Sequence, residues 1–198
     1  MFEERLAEFS RERLGGRPIP DDLRTMLVAQ WEDRADFREL LDITFLEAGR
    51  LQPLLDTGYL SEAELADPEM RAVNAALVVL AEYVKIVAER DEGWIGYWVH
   101  PDEPADRPPV VVGLDTEFTL SGMAGSSLAE ACAADQVRYA GEPDARTAFA
   151  LLAGRLAELG VPLRADDYDD LSEPRFTVDP EALTEELIDA ERARRGLA

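Results

Sequence analysis

The sequence contains one cysteine, one histidine and one lysine in 198 residues. A single cysteine, Cys132, excludes an intramolecular disulfide, and a lone histidine, His100, removes most zinc arrangements. Basic residues are scarce as a class: 20 Lys and Arg stand against 42 Asp and Glu, a formal net charge of -22 and a pI near 4.3. A surface that negative is repelled by nucleic-acid backbones, which are held through Lys and Arg, and by anionic membrane surfaces. Long apolar runs are missing too. The longest, AALVVLA from Ala75, falls far short of the roughly 20 residues that cross a bilayer. The opening MFEERLAEFSRERLGG lacks the apolar core of a signal peptide. The expectation is a protein of a reducing cytoplasm, with no membrane anchor, metal or cofactor, whose soluble partners are basic.

What is present suffices for a packed domain, since 46% of the residues are hydrophobic. Phe2, Leu6 and Phe9 follow helical spacing until Gly15-Gly16. Leu23, Met26, Leu27 and Trp31 mark a second amphipathic helix, with Asp21 and Asp22 at its positive end. A third is predicted from Phe37 through Leu41, Phe45 and Ala48. SEAE from Ser61 has capping-box form, and Asp67-Pro68-Glu69 starts the helix lined by Met70, Val73, Leu77 and Leu80. The span Val84–Glu89 fits helix or strand. Alternation at Val84, Ile86 and Ala88, with the turn-like RDEG before WIGYWV, favours strand, turn, strand. PDEPADRPP then reads as a loop, because strand interiors do not accept so many prolines. VVVGLD from Val110 is a further strand, with Val110, Val112 and Leu114 on one face and Val111, Gly113 and Asp115 on the other. Ser127 and Glu130 cap the next helix, Phe149 to Leu159 form another that Gly160 ends, and ADDYDDLSEP is an acidic loop. Asp179-Pro180-Glu181 starts a final helix, with Arg192, Arg194 and Arg195 at its negative end. Helices, a block of strands, then helices read as α+β.

The candidate chemistry centres on PPVVVGLDTEFTLSG, in which a strand ends in Asp115-x-Glu117, two carboxylates on one face. This resembles the opening strand of DEDD 3′–5′ exonucleases, where such a pair holds catalytic metal. The remainder of that site is missing from the sequence. Two-metal chemistry needs several converging carboxylates, and only helical patterns and an acidic loop follow the strand. Tyr168, beside Asp169 and Asp170, has the wrong spacing, and the basic track a nuclease needs is absent. SGMAGSS lacks a phosphate-loop lysine and the G-x-G-x-x-G order. No Ser or Cys nucleophile finds a triad pattern around His100, and Cys132 reads as a core filler. No catalytic, cofactor or metal set emerges, and the exonuclease stands as the alternative reading.

The order of features from Gly16 to Ala134 resembles the SUKH superfamily, whose founding eukaryotic members regulate yeast cell-wall synthesis. The motifs are a G-x-x-x-P start (Gly16 to Pro20), the aromatic and glycine signature Gly93-Trp94-Ile95-Gly96-Tyr97-Trp98, an apolar strand from Pro109 to Glu117, and an S-x-x-E helix from Ser127 to Cys132. Phe118 departs from the pattern where such strands often carry glycine, and Cys132 replaces the usual closing leucine. The resemblance implies a single α+β domain over residues 1–134, with a mainly antiparallel, curved sheet packed by helices. Residues 135–198 would be an acidic, helical C-terminal extension. It also implies a non-enzymatic immunity protein that binds and blocks a toxin domain, many of which are basic nucleases or deaminases; a regulatory scaffold without a toxin is the eukaryotic variant. Under this reading Asp91, Glu92, Asp102, Glu103, Asp115 and Glu117 recognise the partner, and Trp94, Tyr97 and Trp98 supply aromatic anchors.

Overall fold

Alternating apolar residues in the middle of the chain build a sheet in which every neighbouring pair is antiparallel. The computed structural model describes residues 2–138 and 144–197; Met1, residues 139–143 of the C-terminal segment, and Ala198 lie outside the described residues. The strands are β1 (Thr44–Phe45), β2 (Val84–Arg90), β3 (Gly93–Trp98), β4 (Val110–Leu114) and β5 (Leu120–Gly122), in the spatial order 1-2-3-4-5. The ambiguous span Val84–Glu89 is therefore strand. Its turn at Asp91-Glu92 leads directly into β3, and the proline-rich loop joins β3 to β4 outside the ladder. A bulge interrupts the β2–β3 pairing. Ile86 faces Gly96 and Ala88 faces Ile95, so Val87 is the extra residue. The bulge changes the side-chain parity of β2: Val84 and Ile86 enter one core, whereas Val87 and Ala88 enter the other.

Helices cover both faces of this sheet. On one side lie α1 (Glu3–Arg13), α2 (Asp21–Trp31), α3 (Phe37–Leu41), α6 (Leu128–Val137) and α7 (Asp144–Glu158). Their Leu6, Phe9, Met26, Phe37, Leu128 and Phe149 pack with Ile95, Tyr97 and Val111 of the sheet. On the other side, after the short α4 (Glu62–Ala66), α5 (Pro68–Leu80) sets Leu77 and Leu80 against Trp98, Val112, Leu114 and Leu120. The last helix, α8 (Pro180–Arg195), lies along α5 and adds Leu183 and Leu187 to this second core. Among the described residues the fold is thus one α+β domain of eight α-helices and five strands, with a helix at its C-terminal end.

Local chemistry accounts for the element ends. The Asp67 side chain accepts from the amides of Glu69 (2.8 Å) and Met70 (3.2 Å) with Pro68 at the first helical position, and Asp179 caps α8 in the same manner through Ala182 (2.9 Å). Ser61 and Glu64 form the full capping box expected of SEAE. The third helix departs from expectation, stopping at Leu41 instead of Ala48. Asp42 adopts a left-handed conformation (φ 55°), tolerated by few residues other than glycine, and Thr44–Phe45 turn into the edge strand beside Glu89 and Ala88. Pairing with β2 outweighs the helical spacing there. The division between residues 134 and 135 falls inside α6, and Phe149, Leu156 and Val161 beyond it are buried in the first core.

Candidate functional site

Because Trp94 lies opposite Leu114, the β2–β3 turn and the β4–β5 turn emerge at the same end of the sheet. That end gathers Asp91, Glu92, Asp115 and Glu117. Asp115 is committed to its own turn: Oδ1 accepts from the amides of Glu117 (2.9 Å) and Thr119 (2.8 Å), while its amide donates to the Thr119 carbonyl (3.1 Å). Glu117 and Glu92 are exposed, and Asp91 is ion-paired with Arg38. Among the described residues no group of three or more His, Cys, Asp or Glu side chains is placed to hold a metal.

The same turn contains a non-glycine residue in the left-handed region, Phe118 (φ 64°). Its ring stacks on Trp94, 6.1 Å between centroids with planes 8° apart, and meets Tyr59 at 6.0 Å on its other contact. Tyr59 is 60% exposed. Burial raises its phenol pKa, and Asp56 and Glu64 stand close enough to raise it further. A graded aromatic column therefore rises from half-buried Trp94 to exposed Tyr59, with carboxylates around it. Phe118→Gly is expected to be less destabilising than Phe118→Ala by about 1 kcal/mol, because alanine loses the same ring yet keeps the left-handed backbone cost. Urea unfolding of the two variants measures this; equal midpoints would show that the backbone is unstrained.

The remaining predicted residues lie elsewhere. Tyr97 (3% exposed) and Trp98 (0% exposed) are corrected from surface anchors to core residues, because helices cover both faces of the sheet and successive strand residues each find a covered side. Asp102 and Glu103 are at the opposite end, on the β3–β4 loop. Asp102 is exposed, and its amide donates to His100 Nδ1 (3.3 Å). The His100 ring is packed against Tyr83 and Trp98. Glu103 Oε1 accepts from the amides of Thr177 (2.8 Å) and Val178 (3.0 Å), tying down the bend that leads into α8. Burial acts to raise its carboxyl pKa, but these hydrogen bonds outweigh it and hold it below the usual value. Cys132 is buried in the first core, and burial pushes its thiol pKa far up, so it is an inert filler.

Sequence reasoning missed Tyr59 and Phe118 as surface aromatics. The available signal was the phenylalanine in a glycine-like position of the DTEFT turn, a position whose backbone is left-handed. It also missed the second role of Glu130, whose side chain does not return to its cap residue. Oε2 instead accepts from the Ser126 amide (2.6 Å) and hydroxyl (2.7 Å), and Oε1 from the amides of Arg164 and Ala165.

Fold and site together define an α+β domain with an acidic, aromatic sheet end and a covered sheet. No protein-family model, curated protein or solved structure matches this chain.

Proposed function

We propose that this chain is a non-enzymatic protein-binding domain of the SUKH-like immunity type, which neutralises a basic toxin domain by docking the acidic, aromatic end of its sheet onto it. The observation that carries the reading is the column Tyr59–Phe118–Trp94, exposed at its tip and set at the same sheet end as the exposed carboxylates of Glu92 and Glu117. Partly exposed aromatics make good energetic anchors. A net charge of -22 accelerates encounter with a basic surface and disfavours other partners. Toxins that act on nucleic acid are basic because their substrate demands it. Binding is favoured over metal-dependent hydrolysis by Asp115, whose Oδ1 is held by two backbone amides of its own turn.

The test begins with the gene adjacent to the one for this chain: its product is expected to carry a basic, toxin-like C-terminal domain, and that domain is titrated calorimetrically against the full chain. Raising salt from about 50 to 500 mM is expected to weaken the complex tenfold or more. Tyr59→Ala is expected to weaken it by a further ~30-fold, the size of an interface hot spot, with an unchanged circular dichroism spectrum. A complex indifferent to both salt and Tyr59→Ala would refute docking through this end. A regulatory scaffold would use the same surface on a partner that is not a toxin, so failure to bind the adjacent domain, together with binding of another basic protein, would select that variant.

A further inference from the structure

At the opposite end of the sheet a cleft of about 750 Å³ opens between the start of α2, the β3–β4 loop, the start of α6 and the segment after α7. This volume is typical of small-molecule sites, which run to roughly 300–1,000 Å³. Its walls are rich in proline, including Pro18, Pro101, Pro108 and Pro162. These rings fix the backbone and present apolar surface without an N–H to satisfy.

The charges lining the cleft are unlike those of the rest of the molecule. Arg17, Arg107, Arg164 and Arg175 come to it from four separate segments. None of their side chains makes a hydrogen bond or ion pair within the described residues. Elsewhere most arginines are paired, Arg24 with Glu3, Arg50 with Glu89, Arg90 with Asp135 and Arg192 with Glu69. Arg11, Arg71 and Arg155 also make no ion pair among the described residues, but they are scattered over three helices. With 42 carboxylates in the chain, partners are plentiful, so four unpaired guanidinium groups around one cavity call for an explanation.

The cleft's own carboxylates do not provide it. Of Asp21, Asp22 and Glu103, Asp22 accepts from the Ala129 amide (3.1 Å) and Glu103 from the Thr177 and Val178 amides. Both are turned to backbone and leave the guanidinium groups open. The start of α2 also lies here, with Pro20 at its cap and no capping side chain, but Asp21 and Asp22 in its first turn already complement its positive end, so the arginines are the groups left for an anion.

We infer that this cleft binds a small molecule carrying two or more phosphate or carboxylate groups on an apolar or aromatic body. Planar guanidinium forks match both anions, and four exceed what a single anionic group engages. The proline walls accept the body. The distant carboxylates do not forbid this, because charges beyond about 8 Å are largely screened at physiological salt. The site is at the other end of the sheet from the aromatic column and does not depend on the immunity reading.

The full chain is titrated calorimetrically with pyrophosphate, ADP and citrate at about 50 mM salt. At least one is expected to bind one-to-one with Kd below about 1 mM. Arg107→Ala/Arg175→Ala is expected to weaken that binding tenfold or more. Arg11→Ala/Arg71→Ala, which removes the same charge at exposed arginines outside the cleft, is expected to change it by less than about twofold. Binding of pyrophosphate and ADP without citrate assigns the site to phosphates, citrate alone assigns it to carboxylates, and binding of all three establishes a common anion site. Melting curves verify that both double variants fold; neither removes an internal contact. No saturable binding of any probe at about 5 mM, or equal loss in the two double variants, would overturn the inference.

Discussion

Gly96→Ala is expected to lose about 4 kcal/mol or more of stability, at the far end of what single substitutions do, or to fail to fold. A Cβ at this position would stand 2.8 Å from the Ile86 Cα and from the Lys85 carbonyl carbon, and closer still to that carbonyl's oxygen. All three are backbone, so no rotamer change relieves the contact. The strand must separate from β2 at the bulge where Gly96 pairs with Ile86, and both cores meet the sheet there. Gly154→Ala is the internal reference. That glycine is exposed in α7 with nothing within 4 Å of an added Cβ, and alanine is expected to add roughly 0.5–1 kcal/mol through helix propensity. Urea unfolding of the two variants gives opposite signs. A mild Gly96→Ala phenotype, under about 1 kcal/mol, would mean that β2 and β3 are less closely apposed than described.

The second large effect is expected at Glu130, which is 1% exposed and accepts four hydrogen bonds. Glu130→Ala removes all four and strands the amides of Ser126, Arg164 and Ala165, for a loss of about 3–5 kcal/mol. Glu130→Gln keeps the shape but exchanges one accepting oxygen for a donor, and about 2 kcal/mol is expected. Burial on its own would raise the Glu130 carboxyl pKa; the bonds from Ser126, Ala165 and Arg164 more than offset it and hold it below its ordinary value. A group with a depressed folded pKa contributes stability that is fully present above its unfolded pKa of about 4.3. That contribution is lost as pH falls through the folded value. Wild type should therefore lose stability as pH drops below about 4, while Glu130→Gln should show a flatter profile in that window. Identical acid limbs for the two proteins would remove Glu130 from the acid response. The same bonds hold the segment that carries Arg164 to the cleft, so this carboxylate links the cap of α6 to the anion site proposed there.

Much of this architecture was legible in the residues themselves, for reasons that are local. Aspartate before proline fixes the starts of α5 and α8 by satisfying amides two or three residues away, whatever surrounds them. The alternation of Val110 to Leu114 sorts that strand's faces because the period of a strand is set by its own backbone. The prolines of PDEPADRPP exclude a strand for an equally local reason. The helical spacing from Phe37 to Ala48 misled because Thr44 and Phe45 are claimed by Glu89 and Ala88, partners more than forty residues away.

The sequence by itself determined the charge imbalance, most element types and helix starts, most strand faces, and the glycines of the β3 signature, because periodicity, capping and turn chemistry act over a few residues. Only the tertiary structure decided that both faces of the sheet are covered. That removes Tyr97 and Trp98 from the surface, since alternation says which side a residue takes but not whether another layer lies over it. Tertiary structure also decided that Tyr59 joins Phe118 and Trp94, that Glu130 reaches past its own cap to Arg164 and Ala165, and that Arg17, Arg107, Arg164 and Arg175 meet around one cleft. Each of these brings together groups far apart in the chain, and such meetings are set by how the helices pack on the sheet, a long-range outcome that no local spacing encodes.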